Sequence, residues 1–130
     1  MATILVVDDE DGVRSFLADA LEADGHQVVQ AADGAEALTQ VATKSFQVVV
    51  TDLKMPRVDG LELIRRLRGD QIQSEVIVLT VHGTVDSAVE AMKLGAFEYL
   101  QKPLSGPAEL RLLVGRAVER YQARLAREVA

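Results

Sequence analysis

The sequence predicts a three-layer, doubly wound α/β domain, and three observations carry that prediction. Short, β-branched apolar runs alternate with segments of helical periodicity five times along the 130 residues. The strongest runs are apolar at consecutive positions, as in strands buried on both faces. No low-complexity tract or linker interrupts the series, so one parallel sheet with helices on both sides accounts for the chain.

Ile4-Leu5-Val6-Val7 is too short for a helix and is bounded by acids, so it reads as a buried strand. Val13, Phe16, Leu17, Ala20 and Leu21 then mark one helical face, predicted to turn to the core. Asp24-Gly25 closes that helix, with Gly25 suited to a left-handed C′ position. Gln27 to Ala31 is a weaker strand, expected at an edge. Ala35 to Thr43 is helical, with Leu38, Val41 and Ala42 inward, and Gln47 to Thr51 is a buried strand. Gly60 to Arg68 is a helix carrying Leu63, Ile64 and Leu67, with Asp59 as N-cap and Gly69 just past its end. Val76 to Leu79 is a buried strand. Val85, Ala88, Val89 and Met92 mark a fourth helix, capped by Thr84 and ended by Gly95. Phe97 to Gln101 is a last short strand. The final helix runs from Ser105 onward, with Pro107 tolerated in its first turn.

Composition narrows the function. Hydrophobic residues are 48% and aromatics 4%, so the core is aliphatic. Twenty acids against 14 bases give a net charge of -6, which opposes direct binding of nucleic acid by this domain. The absence of cysteine excludes disulfides and thiolate metal sites. No apolar run approaches the roughly 20 residues of a membrane span. MATILVVDDE lacks a basic segment and soon turns acidic, unlike a signal peptide. The expectation is a cytoplasmic domain without a membrane segment.

In a doubly wound sheet the site lies at the carboxyl ends of the strands. The first strand ends in Asp8-Asp9-Glu10-Asp11, the third in Asp52, the fourth in Thr80 and the fifth in Lys102-Pro103. Several carboxylates in one pocket are costly unless a cation balances them, and Lys102 alone leaves excess negative charge. A carboxylate set without His or Cys favours Mg²⁺, Mn²⁺ or Ca²⁺ over zinc, and Mg²⁺ or Mn²⁺ suits phosphate oxygens best. A carboxylate beside such an ion, with a lysine and a threonine hydroxyl in reach, suits phosphoryl transfer with the carboxylate as nucleophile.

The ordered set VVDDE, TDLKMPRVDG, VLTVHG and YLQKP resembles the receiver domain of two-component response regulators, across residues 3–120. The resemblance implies a flavodoxin-like strand order 2-1-3-4-5. It implies Asp52 as acceptor of a phosphoryl group from a histidine kinase. Mg²⁺ would be held by Asp9, by Asp8 mainly through water, by Asp52 and by the backbone carbonyl of Lys54. Thr80 and Lys102 would contact the phosphoryl group, Tyr99 would be the switch aromatic, and Lys102-Pro103 matches a bond usually cis in the family. Lys54 and His82, two residues after the acceptor and after the threonine, would flank the phosphoryl group and tune its lifetime. Val81 departs from the family, which has a small residue there, and would narrow access. GTVDSAVEAMKLGAFEYLQKP is similar to receivers of sigma-54-dependent transcription activators, and the readout face would be the fourth helix, fifth strand and fifth helix.

Plainer readings stand beside these. Asp11 reads as a helix-start acid. Thr80 alone is a strand-end hydroxyl, Tyr99 with Phe97 a packing pair, and Lys54 and Arg57 surface charge. A phosphohydrolase of the haloacid-dehalogenase type would place its nucleophile after the first strand, in D-x-D, and carry a cap. A partner-binding pseudo-receiver would have lost an acid, the threonine or the lysine. In the last helix Leu110, Val114, Ala117, Val118 and Tyr121 suffice to dock on the sheet, yet Leu125 and Val129 continue the stripe. Residues 1–121 therefore read as the domain. Residues 122–130 read as a helical extension leading to an output domain and supporting a homodimer, beside the plainer reading of a frayed tail.

Overall fold

A computed structural model describes residues 1–129; Ala130, the last residue of the expected extension, lies outside them. The order of elements is β1 (Thr3–Val7), α1 (Asp11–Ala23), β2 (Gln27–Ala31), α2 (Gly34–Thr43), β3 (Val48–Thr51), α3 (Gly60–Gly69), β4 (Glu75–Thr80), α4 (Val85–Lys93), β5 (Glu98–Gln101) and α5 (Pro107–Val129). The strands form one parallel sheet in the order β2-β1-β3-β4-β5. Both the doubly wound architecture and the edge position of β2 agree with expectation.

The period-two alternation of strand side chains builds two cores from three central strands. Ile4, Val6, Val48, Val50, Ile77 and Leu79 face α1 and α5. Leu5, Val7, Val49, Val76 and Val78 face α2, α3 and α4. Every residue of β3 and β4 is buried, and between the polar ends Thr51, Glu75 and Thr80 these strands read as apolar runs. Burying one such side chain stabilises by about 1.5–3 kcal/mol, which makes the central strands the main source of stability.

Caps fall where the sequence puts them. Asp59 accepts from the Glu62 amide, Thr84 and Ser87 form a reciprocal capping box, and Gly25 and Gly95 take positive φ after α1 and α4. Four expectations need correction. Phe16 is 53% exposed, because α1 packs through Leu17, Ala18, Ala20 and Leu21 and leaves Phe16 on its flank. Ala42 is exposed, because α2 contacts the sheet through the row Gly34, Ala37, Leu38 and Val41, and Ala42 lies off it. Gly69 is the last residue of α3 rather than its terminator; the left-handed residue is Gln71, at φ 60°. The last helix starts at Pro107, and Ser105 lies ahead of it with its amide and hydroxyl donating to the Glu109 carboxylate.

Candidate functional site

Strand register brings the acids together. Val7 pairs with Thr51, so the next residues, Asp8 and Asp52, leave adjacent strands side by side. The Asp52 amide donates to the Val7 carbonyl at 2.9 Å, and the Asp8 amide to Ala31 at 3.1 Å. This is the point where the chain order reverses, with β2 and β3 on opposite sides of β1. Across it, Thr80 pairs with Gln101, and Lys102 follows at once.

Both carboxylates are buried and held. Asp8 is 1% and Asp52 6% exposed. The Glu10 amide donates to Asp8 Oδ1 at 2.9 Å, and the Leu53 amide to Asp52 Oδ1 at 2.6 Å. Lys102 Nζ donates to Asp8 Oδ2 at 2.7 Å and to Asp52 Oδ2 at 3.3 Å. Burial works against the ammonium, but its bond to Asp8 and the charges of Asp8 and Asp52 outweigh it and raise Lys102 above its ordinary value. Asp8, Asp9 and Asp52 each bring an oxygen within 4.8 Å of the others. With three carboxylates against one ammonium and only oxygen donors, the cluster fits a hard divalent cation.

These groups open into a cleft of about 580 Å³ lined by Asp9, Glu10, Asp52, Lys54, Val81, His82 and Lys102 among others. Val81 is 59% exposed, and Lys54 and His82 are exposed, so the residues expected to flank the acceptor do sit at its mouth. Thr80 is at the end of β4 but does not line the cleft. Fully buried, its Oγ accepts from the His82 amide at 3.0 Å. Tyr99 is half-buried on β5, and its hydroxyl lies 2.6 Å from Ser87 Oγ in the capping box of α4. Gly83 makes room for it, since a Cβ there would come within 3.0 Å of the Tyr99 oxygen. The Lys102-Pro103 bond is cis.

Three groups carry more than the sequence suggested. Arg57, with φ 70°, is not idle surface charge: its guanidinium pairs with buried Asp33, which also caps α2. The Glu36 amide, and then Arg57, hold the Asp33 carboxyl below its usual range. Gly60 lets the loop after β3 close, since a Cβ there would lie 2.3 Å from the Asp52 carbonyl oxygen. Glu75, at the far end of β4, is a buried acid among valines, visible in sequence only as a polar residue before VIVLT.

Residues 4–114 match the family described as response regulator receiver domain. The chain is 39% identical over 116 residues to the regulatory protein AtoC of Escherichia coli, covering 89% of this chain and 25% of that protein. It is 42% identical over 117 residues to the transcriptional regulatory protein FixJ of Azorhizobium caulinodans, covering 88% and 56%. The chain thus spans a quarter to somewhat over half of these relatives. A receiver-domain crystal structure from Clostridium thermocellum superposes with a TM-score of 0.87 at 38% identity, covering 95% of this chain and 98% of that one. NtrX of Brucella abortus gives a TM-score of 0.87 at 33% identity, over 98% of this chain and 29% of that one.

Proposed function

The chain belongs to the receiver-domain family of two-component response regulators, and from that premise we propose that Asp52 accepts a phosphoryl group from a partner histidine kinase and thereby switches an output. The observation that carries this reading is Asp52 itself: a buried carboxylate in bonding reach of an ammonium and beside two further acids. One Asp52 oxygen attacks phosphorus as the donor's P–N bond breaks, the donor nitrogen keeps the electron pair, and an acyl phosphate results. Lys102 is released from Asp52 to the incoming phosphoryl oxygens, and the Leu53 amide keeps the other carboxylate oxygen in place. Asp8, Asp9, Asp52 and the Lys54 carbonyl would hold Mg²⁺ or Mn²⁺. When bound, that ion supplies charge neutralisation at the transferring group. The domain thus assists its own phosphorylation and dephosphorylation without being a stand-alone enzyme.

Thr80 turns its hydroxyl from the His82 amide to the phosphoryl group, and Tyr99 leaves Ser87 to follow it. The α4–β5–α5 face is the element so biased. On it Val85, Val89 and Met92 are exposed, which supports a partner surface there. The output is a transcription domain of the kind carried by sigma-54-dependent activators, and the α4–β5–α5 face or the α5 extension supports a homodimer in the cytoplasm. Leu125→Glu should then lower the sedimentation coefficient of the chain; an unchanged monomer before and after substitution rules out a dimer through this helix.

The exposed cleft-mouth residues set the rates. Val81→Ala should accept acetyl phosphate faster, because the branched side chain narrows in-line access. His82→Ala and Lys54→Ala should change phosphoryl lifetime, and unchanged lifetimes in both would remove their tuning role. The function itself is tested by treating the chain with acetyl phosphate and Mg²⁺. A hydroxylamine-labile adduct that disappears with chelator supports an acyl phosphate. A hydroxylamine-stable adduct, or one indifferent to chelator, refutes it.

A further inference from the structure

The carboxylate of Glu75 takes no part in the chemistry proposed at the opposite rim. It opens β4 at the amino end of the sheet, and its side chain is 1% exposed. A carboxylate so buried is strongly unfavourable unless a cation and hydrogen bonds compensate it. Its partners come from α5. Arg124 Nη2 donates to Glu75 Oε2, and Arg120 Nε lies 3.4 Å from the same oxygen. Arg124 also donates to the Gln73 carbonyl at 2.9 Å, so one guanidinium bridges strand and preceding loop. Arg120, one turn earlier, lies over the Phe97 ring, 5.7 Å from its centre. Arg68 points into the same end of the sheet, but the carbonyls of Ile72, Ser74, Leu94 and Gly95 occupy it.

The last fully packed apolar residue of α5 is Val118. Arg124 lies six residues beyond it, roughly 9 Å further along the helix axis. Leu125, next to it, is 48% exposed, so apolar packing does not hold the helix there. What holds it is a salt bridge whose strand partner is buried.

We propose that Glu75 is a positioning residue for α5: paired with Arg124, its carboxylate extends the rigid unit to residue 124 and fixes the direction in which the last helix leaves the sheet. The anchor stands whether or not Asp52 accepts a phosphoryl group; only its use in aiming an output rests on that reading. It also moves the boundary of the folded unit past residue 121.

The test is a cycle of variants of the 130-residue chain, Glu75→Gln, Arg124→Met and the double variant, read by thermal unfolding and by amide exchange of residues 121–127. Arg124→Met leaves a buried carboxylate with Arg120 as its one ion-pair partner, so its midpoint should fall by about 5 °C or more. The double variant, with no buried charge to strand, should recover most of that loss. Exchange should stay about tenfold or more faster than wild type in all three variants, because the anchor is gone in each. Additive midpoints, or exchange that returns to wild type in the double variant, would overturn the proposal. Phosphoryl uptake from acetyl phosphate, read in the same variants, should match wild type. Absent uptake in every chain, wild type included, counts against the Asp52 reading alone.

Discussion

His26 shows how one partly buried group sets a pH dependence. Its Nδ1 accepts from the Ala2 amide at 3.1 Å, so the ring serves β1 only while that nitrogen is unprotonated. Burial pushes its pKa below the ordinary 6.5, although nearby Asp24 pulls the other way. A depressed folded value means the unfolded chain binds the proton more readily. The resulting stability is present above about 6.5 and is lost as pH falls through the folded value. Urea midpoints should therefore decline from pH 7.5 to 5.5, and less so in His26→Gln; an equal decline in both would contradict this role. At the carboxyl rim, the gathering of Asp8, Asp9 and Asp52 was legible in sequence because acids ending apolar strands have few structural reasons to be there. The fates of Arg57 and Glu75 were not legible. Each depends on a partner at least 24 positions away, Asp33 and Arg124, that only the fold brings near.

Among the elements, α4 and the loop between β3 and α3 carry the consequences. The α4 cap is a hydroxyl cluster, Thr84, Ser87 and Tyr99, within 3.1 Å contacts. Ser87→Ala removes the reciprocal half of the cap and the Tyr99 partner together, and should destabilise by about 1 kcal/mol. It should also leave the Tyr99 ring more mobile, as line widths of its ring protons would report; unchanged stability and ring signals would mean the cluster does nothing. Gly60→Ala is predicted to be far worse. Its Cβ would press on the backbone oxygen of Asp52, so a loss of about 3 kcal/mol or more is expected in denaturant unfolding. Helix existence and most caps were readable from periodicity and from Asp, Thr and Gly at the ends. Which face each helix buries was less readable. Val85, Val89 and Met92 have core-like spacing, yet α4 buries Ala91 and leaves these three exposed. A stripe left exposed looks the same in sequence as one turned to the core.

At the scale of the whole molecule, two aliphatic cores clamp a five-stranded sheet, and its two rims do different work. The carboxyl rim gathers Asp8, Asp52 and Lys102, whereas the amino rim gathers Glu75, Arg120 and Arg124. Ile77, fully buried in β4 beside the central strand β3, should cost about 2–5 kcal/mol when truncated to Ala, read as a lower urea midpoint. The doubly wound architecture was legible because strict strand–helix alternation leaves few right-handed solutions, whereas the strand order was implied only by the family resemblance. The amino rim was not, because its charges look like ordinary helix-surface arginines. The most direct test of the central claim is the intact mass of wild type and Asp52→Asn after acetyl phosphate with Mg²⁺. The account predicts one added phosphoryl group on wild type and none on the variant. An adduct of equal yield on Asp52→Asn would contradict it.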